Sequence, residues 1–213
     1  MYIVEYMTSD PITISTDVYL PEARLLLNEY HIRHLPVVDR DNKLIGIVTD
    51  RDLRSAYPSS VTSRKDKSLA FEQVEKTKVE DMMTTSCSTL GLDSTLDDAL
   101  IIFDRDKVGG IPVVSDDDVV IGMFSLLDLT AAYRKLFGVA EDGSILVGIE
   151  DDDRDNILSE IVVLLEQNGI LLTRLIRLVE KNEVTKIFMR INSRNPSGVY
   201  KLLRSRGFSF IKP

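Results

Sequence analysis

The chain has 213 residues, of which 44% are hydrophobic and 28% charged, as in folded globular proteins and unlike disordered or fibrous ones. A net charge of −8 argues against a broad nucleic-acid-binding surface, although a small anion can still bind in a local basic pocket. The single Cys87 excludes an intrachain disulfide. We find no signal peptide at the start and no stretch of the ~20 apolar residues that a membrane span needs, so we expect a cytoplasmic protein that binds neither nucleic acid nor membrane.

An internal repeat with a constant shift of 76 positions organises the first two thirds of the chain. Met7-Thr8 recurs as Met83-Thr84. The same shift, without a gap, pairs Pro36-Val37-Val38 with Pro112-Val113-Val114, Ile45-Gly46 with Ile121-Gly122, and Asp52-Leu53 with Asp128-Leu129. Such a register indicates two copies of one supersecondary unit.

Each copy predicts a short strand, a helix, a two-stranded hairpin and a second helix, in that order. In repeat one the strands fall at 12–14, 35–38 and 44–48, the first helix contains Pro21 in its first turn, and the second begins at Asp50. In repeat two the short strand is 89–90, Thr95-Leu96-Asp97-Asp98 forms a capping box, and the second helix begins at Leu126. Because one unit leaves its sheet half covered, we expect the two to pack as a pseudo-twofold pair. The predicted boundaries are 1–60 for repeat one, 61–78 for a weakly helical connector and 79–137 for repeat two.

Residues 144–213 follow a different pattern and predict a second domain. The expected elements are strands at 144–149, 171–179, 185–191 and 208–211, with helices at 156–167 and from Asn195-Pro196. The order βαββαβ is that of a ferredoxin-like unit. The acidic turn 150–155 is expected to be solvated and disordered, with a Ca²⁺ or Mg²⁺ site as the less favoured alternative.

The strongest candidate site is the pattern Gly-x-x-(Thr/Ser)-x-x-Asp, which occurs at 46–52 and again at 122–128, each time where a strand meets a helix. A helix N-terminus offers free N–H groups to a phosphate, and a carboxylate can accept hydrogen bonds from both ribose hydroxyls. The same spacing also describes a helix capping box that needs no ligand. Both interpretations remain open at this point.

These motifs resemble those of a tandem pair of cystathionine-β-synthase (CBS) domains, a Bateman module, over residues 1 to about 137. The C-terminal unit resembles an ACT domain, and the whole order is similar to acetoin-utilization proteins of the AcuB type. The resemblance implies an α/β (α+β) fold and a regulatory adenosine ligand, such as AMP, ADP or ATP, in the clefts between repeats, with no required cofactor. Carried over by position, the nucleotide-binding residues are Ile12, His34, Leu35, Pro36, Thr49, Arg51, Asp52, Ser88, Gly110, Ile111, Pro112, Ser125 and Asp128.

The two clefts differ in charge. Arg51 and Arg54 lie at the helix start of repeat one, whereas Leu126 and Leu127 occupy the helix start of repeat two. We therefore expect unequal affinities, with the basic residues of repeat one serving phosphates. Ordinary surface solvation is the competing interpretation of these charges.

Two other classes of function compete with a sensor. Catalysis is disfavoured because His31 and His34 are the only imidazoles, Cys87 is expected to be a small buried hydrophobe, and no phosphate-loop or nucleophile-elbow motif occurs. A non-catalytic dimeric scaffold with empty clefts fits the same pattern. The ACT-like turn lacks the glycine of amino-acid-binding ACT domains, which favours a role in homodimer formation, with an unidentified enzyme as a further partner.

Overall fold

The computed structural model describes residues 1–57, 64–181 and 184–211, except for the side chains of residues 64–67 and 70. The chain forms two compact units, Met1–Ala132 and Tyr133–Pro213. Sequence expectations for residues 58–63, where repeat one meets the connector, for 182–183, in the last hairpin turn, and for 212–213 lie outside the described residues.

The first unit contains two similar sets of helices and strands. The elements of the first set are β2 (Ile14–Ser15), α1 (Leu20–Glu29), β3 (His34–Val38), β4 (Leu44–Thr49) and α2 (Asp50–Ala56), and the connecting helix is α3 (Arg64–Lys76). Those of the second set are α4 (Leu96–Asp106), β5 (Gly110–Val114), β6 (Val120–Ser125) and α5 (Leu126–Leu136), and a two-residue strand β1 (Thr8–Ser9) precedes both. The end of α5, from Tyr133 onwards, already belongs to the second unit.

The hairpin β3–β4 forms because four consecutive residues, from Leu35 to Val38, are buried and the turn that follows accepts unusual backbone angles. Asn42 has φ +59° and the equivalent Asp118 has φ +64°, which short polar side chains tolerate better than most. The turn is held by the Asp39 carboxylate, whose Oδ1 accepts from two backbone N–H groups at 2.9 Å. Both hairpins agree with the sequence prediction.

The two repeats exchange their first segments. β1 belongs in sequence to repeat one, yet it pairs with β6 of repeat two, and Thr8 lies opposite Met123. The equivalent residue Thr84 forms a bridge with Ile47 of β4, in repeat one, with both N–H···O bonds at 2.9 Å. Packing units in space therefore do not coincide with the sequence repeats.

A methionine and a glycine meet at each exchanged segment. A Cβ on Gly46 would lie 2.8 Å from Met83 Sδ and 3.0 Å from the backbone oxygen of Thr84. A Cβ on Gly122 would lie 2.6 Å from Met7 Sδ. The repeated Met-Thr and Ile-Gly motifs are therefore the two sides of one contact, which is formed twice.

The second unit is a three-stranded antiparallel sheet with helices on one face. Its elements are β7 (Ser144–Glu150), α6 (Ile157–Gln167), β8 (Leu171–Leu178), β9 (Lys186–Asn192) and α7 (Pro196–Ser205). The strand order is β7-β9-β8, and Phe210 bridges Ile149 on the outer side of β7. With that bridge as a fourth strand position, the order of elements is that of a ferredoxin-like βαββαβ unit.

Several predicted elements are shorter or different in the structure. The first strand of repeat one is Ile14–Ser15 rather than 12–14, and the strands at 89–90 and 208–211 are reduced to single bridges at Leu90 and Phe210. Segments this short contain too few residues for the alternation of apolar and polar side chains to predict where a strand begins and ends.

The acidic turn 150–155 is ordered, contrary to expectation. Asp151 is buried and its carboxylate lies 2.6 Å from Arg177. Arg154 pairs with Asp152 and Glu160 and lies over the Phe208 ring. Arg177 compensates Asp151, because a buried carboxylate requires a partner, and Arg154 compensates Asp152.

The exchanged segments give a testable stability difference. Gly46→Ala should lower the free energy of unfolding by about 1–3 kcal/mol, because the new methyl group meets a backbone oxygen that cannot move away. Gly122→Ala should lower the free energy of unfolding by less, because the atom closest to its new methyl group belongs to the flexible Met7 side chain. Adding Met7→Ala to Gly122→Ala should recover part of the lost stability. Urea unfolding of the three variants measures this.

Gly91→Ala is the matched control, since its new methyl group meets only the flexible Asp93 side chain. Equal losses at Gly46 and Gly91 would show that the close approach does not constrain the fold.

Candidate functional site

The repeated Gly-x-x-(Thr/Ser)-x-x-Asp pattern lies at the end of each hairpin of the first unit. His34 lies opposite Thr49 in the β3–β4 ladder, and Gly110 lies opposite Ser125 in the β5–β6 ladder. Each helix begins at the next residue, so that a hydroxyl and a helix N-terminus share one edge of the sheet. Equivalent backbone bonds, Asp50 N to Arg33 O at 3.0 Å and Leu126 N to Gly109 O at 3.2 Å, fix both corners.

Thr49 and Asp52 form a capping box. The Asp52 Oδ2 atom accepts from the Thr49 backbone N–H at 2.9 Å and from its hydroxyl at 2.6 Å, while Thr49 Oγ1 accepts from the Asp52 N–H at 3.3 Å. Ser125 and Asp128 repeat this geometry at 2.8, 2.6 and 3.3 Å. In both boxes the hydrogen bonds use Oδ2, and no described residue donates to Oδ1.

A third capping box of the same geometry begins α4. Asp98 Oδ2 accepts from the Thr95 N–H at 2.8 Å and from the Thr95 hydroxyl at 2.6 Å. These hydrogen bonds lower the pKa of the exposed Asp98 carboxyl below its usual range. Because this box does not follow a hairpin strand, the capping geometry alone does not define a ligand site, and its position in the fold must be considered as well.

The two repeats meet where His34 lies against Gly109 and Gly110. A Cβ on Gly110 would lie 2.7 Å from His34 Nδ1, and a Cβ on Gly109 would lie 3.3 Å from Nε2. His34 and Gly110 are equivalent positions of the repeat, so one imidazole fills the space that its glycine counterpart leaves. Burial lowers the pKa of His34, and the nearby Arg33 adds to this, while Asp52 and Asp50 oppose it.

The basic residues at the start of α2 differ in availability. Arg54 forms an ion pair with Asp50 one turn earlier. Arg51 is exposed, and no described residue forms an ion pair with it. Of these two arginines, Arg51 therefore has the freer guanidinium for a phosphate.

Ser88 takes part in a polar cluster that the sequence did not indicate. Its hydroxyl donates to Asp106 at 2.6 Å and accepts from Arg105 at 3.1 Å. Hydrogen bonds from Arg105 and then Ser88 lower the pKa of Asp106 to about 2. The repeat register does not indicate this cluster either, because Glu29 and Tyr30 occupy the equivalent positions in repeat one.

The remaining predicted residues form the apolar surroundings of the corners. Ile12 is half-buried and packs against the core of repeat one. The side chains of the β3 and β5 residues are buried, so they can offer a ligand mainly backbone groups; they are Leu35, Pro36, Ile111 and Pro112.

Cys87 is half-buried rather than buried, and its burial raises the pKa of its thiol. Among the described residues, no three His, Cys, Asp or Glu side chains form a group that could hold a metal ion. No helix in the described part of the chain is long and apolar enough to cross a membrane.

The CBS domain family model matches residues 3–59 and 79–135, together more than half of the chain. The chain therefore belongs to the CBS domain family and carries a tandem pair of these domains.

The chain is also similar to individual proteins and to solved structures. An inosine-5′-monophosphate dehydrogenase of Bifidobacterium longum is 32% identical over 123 residues, which are 57% of this chain but only 20% of that enzyme. The CBS domain pair of the protein MJ0100, solved with 5′-methylthioadenosine and S-adenosyl-L-methionine, is 28% identical with a TM-score of 0.52, and the match covers 62% of this chain and 99% of that one. A Vibrio cholerae protein assigned to acetoin utilization (AcuB) is 30% identical with a TM-score of 0.52, over 65% and 93% of the two chains.

The position of His34 predicts a pH-dependent stability. Its pKa is lowered in the folded state, so the unfolded chain binds more protons, and stability must fall as the pH drops below the ordinary histidine value of ~6.5. His34→Gln should flatten the dependence of the unfolding free energy between pH 7.5 and about pH 5.5, as measured by urea unfolding at each pH.

His31→Gln provides the control, since His31 is the other histidine and is exposed. If the pH dependence of the unfolding free energy is unchanged in His34→Gln, groups other than His34 cause it.

Proposed function

We propose that the protein is a regulatory sensor that binds an adenosine-containing small molecule in the clefts between its two CBS repeats. The observation that carries this proposal is the pair of equivalent strand-to-helix corners in which Asp52 and Asp128 keep one carboxylate oxygen without a described donor. The solved MJ0100 pair, which holds two adenosyl compounds, supports the choice of ligand class.

Each residue type at a corner suits a different part of the ligand. The Oδ1 atoms of Asp52 and Asp128 accept hydrogen bonds from the ribose hydroxyls, as carboxylates do in dinucleotide sites. Thr49, Ser125 and the helix N-termini face the phosphate or its substituent. The buried β3 and β5 residues, with Ile12 and Ser88, surround the adenine.

The two sites bind with different affinities in this proposal. Repeat one contributes Arg51 and the His34 imidazole, whereas repeat two contributes Leu127 and Gly110 at the same positions. A phosphate-bearing ligand therefore gains a charged hydrogen bond in repeat one alone, and such bonds contribute ~1.5–3 kcal/mol.

The second unit, which we propose to be ACT-like, pairs subunits into a homodimer. In the described sheet β8 is an edge strand, so its outer hydrogen-bonding groups are available to a second chain. Ligand in the clefts would favour one arrangement of the repeats only if the two arrangements bind it with different affinity. The dimer then transmits the change in arrangement to a partner enzyme. The similarity to the AcuB protein supports acetoin or acetyl-CoA metabolism as the proposed pathway.

A dimeric scaffold with empty clefts is the alternative, and the completed capping boxes favour it. Both boxes satisfy their backbone donors without any ligand. The following experiment separates the two functions.

Thermal unfolding with AMP, ADP, ATP, S-adenosylmethionine and 5′-methylthioadenosine tests the sensor. A ligand at about 100 times its Kd should stabilise the protein by ~2.7 kcal/mol. For a chain of this length the melting temperature should rise by roughly 5–10 °C. In the double variant Asp52→Ala/Asp128→Ala this rise should vanish.

Asp98→Ala is the matched control for loss of a cap. It should cost about 1 kcal/mol, as each cap in the clefts should, and leave the ligand-induced rise intact. If no ligand raises the melting temperature and all three aspartates cost the same, the aspartates are helix caps alone and the scaffold function stands.

Calorimetry with two ligands tests the inequality of the clefts. Arg51→Ala should weaken AMP about tenfold at one of two sites and leave 5′-methylthioadenosine, which has no phosphate, unchanged. Arg54→Ala should have a smaller effect because Arg54 is already paired with Asp50. Two equal AMP sites that Arg51→Ala does not alter would contradict the assignment.

A further inference from the structure

The second unit leaves one face of its sheet open, opposite the helices. Side chains alternate along the strands, so that Val147, Met189 and their neighbours enter the core while the residues between them point away. A groove of about 410 Å³ lies on this open face, within the size range of small-molecule sites. Its lining residues are Phe137, Leu146, Arg174, Ile176, Leu178, Phe188 and Arg190.

The groove is apolar along its floor. Leu146 is 52% exposed and Leu178 41% exposed, although both are large hydrophobic residues on regular strands. Gly148 carries no side chain on this face, and a Cβ there would lie 2.9 Å from Ile211 Cδ1 and 3.2 Å from Phe188. Phe188 and Ile211 therefore close over the glycine and bound the apolar surface.

Two guanidinium groups lie at the groove, and they differ in how they are paired. Arg174 forms two hydrogen bonds with Glu141, at 2.7 and 2.8 Å, and donates to the carbonyl oxygens of Leu136 and Lys135. Arg190 makes one long hydrogen bond, 3.4 Å, to Ser144 Oγ, and no described carboxylate forms an ion pair with it. The groove therefore carries one excess positive charge, with unused N–H donors on Arg190.

A second copy of the chain fits this face poorly. Three strands of seven or eight residues have a flat footprint of roughly 25 by 14 Å, or about 350 Å², before the relief of the side chains is counted. A stable interface buries ~800 Å² on each partner. A twofold pairing of the same face would also bring its uncompensated arginines together.

We propose that this groove binds a small amphipathic anion, with an apolar chain over Leu146, Ile176 and Leu178 and a carboxylate at Arg190. Arg174 positions the groove wall through its bonds to Glu141 and the backbone and does not contact the anion. This site is independent of the nucleotide clefts, since every lining residue belongs to the second unit.

Binding of octanoate below its micelle concentration tests the site on the full-length protein. Methyl NMR shifts of Leu146, Ile176 and Leu178 should saturate, and octanol, with the same chain and no charge, should bind at least tenfold more weakly. Arg190→Gln should weaken octanoate about tenfold, whereas Arg190→Lys should retain part of the affinity.

Arg206→Gln is the matched control, because Arg206 is exposed at the end of α7, outside the groove. Asp52→Ala should leave octanoate binding unchanged, which separates this test from that of the nucleotide sensor. Octanol binding as tightly as octanoate, or no effect of Arg190→Gln, would overturn the proposal. So would conversion of a dimer to a monomer by Leu146→Asp in sedimentation velocity, because a second copy would then occupy the face.

Discussion

The exchange of first segments between the two repeats is the constraint on which the rest of the CBS unit depends. Each repeat receives a strand position from the other, and the core of repeat one also receives a residue of repeat two. Val79, which belongs in sequence to repeat two, is fully buried in the core of repeat one, and Ile3 donates its N–H to Ser94 of repeat two. The outer edges of β4 and β6 are therefore each paired by a segment of the other repeat.

This exchange also determines where the candidate sites lie. β4 and β6 receive the exchanged segments along one edge and end at Thr49 and Ser125, where the helices begin. Both corners are therefore held from two sides, by their own hairpin and by the partner repeat. A binding site built on strands fixed in this way keeps its hydrogen-bonding groups in place before a ligand arrives.

The capping interaction and ligand binding are compatible in these corners. A capping box uses Oδ2 and orients the carboxylate, while Oδ1 stays available as an acceptor. In the proposed sensor, the aspartate that stabilises the helix is the same residue that accepts from the ribose. The choice between a cap and a ligand residue, which the sequence leaves open, is therefore not an exclusive one.

Much of this fold follows from the sequence, because its signals are local. The hairpins and α4 could be predicted from apolar runs, turn residues and a capping box that span fewer than ten positions each. The exchange could not, since β1 has only two residues and the partner of Gly122 is Met7, more than one hundred positions away.

In the candidate site, too, the sequence predicts local patterns but not contacts between distant residues. The repeat register identified Thr49, Asp52 and their counterparts, whereas the Ser88–Asp106 bond and the burial of Asp151 depend on partners that no local pattern indicates. The open sheet face is hidden for a related reason. Alternation along a strand distinguishes its two faces, but it does not show that Leu146 and Leu178 remain uncovered.

The contact between His34 and Gly110 has a consequence for how such a molecule diversifies. Because Met7 meets Gly122 as Met83 meets Gly46, a single repeat could form the same contacts with a second copy of itself. In such a homodimer every mutation occurs twice, and two bulky residues would collide on the symmetry axis. Fusion into one chain removes that restriction: a histidine can arise on one side while its counterpart stays a glycine. Duplication within one chain thus permits equivalent positions of the two repeats to diverge independently.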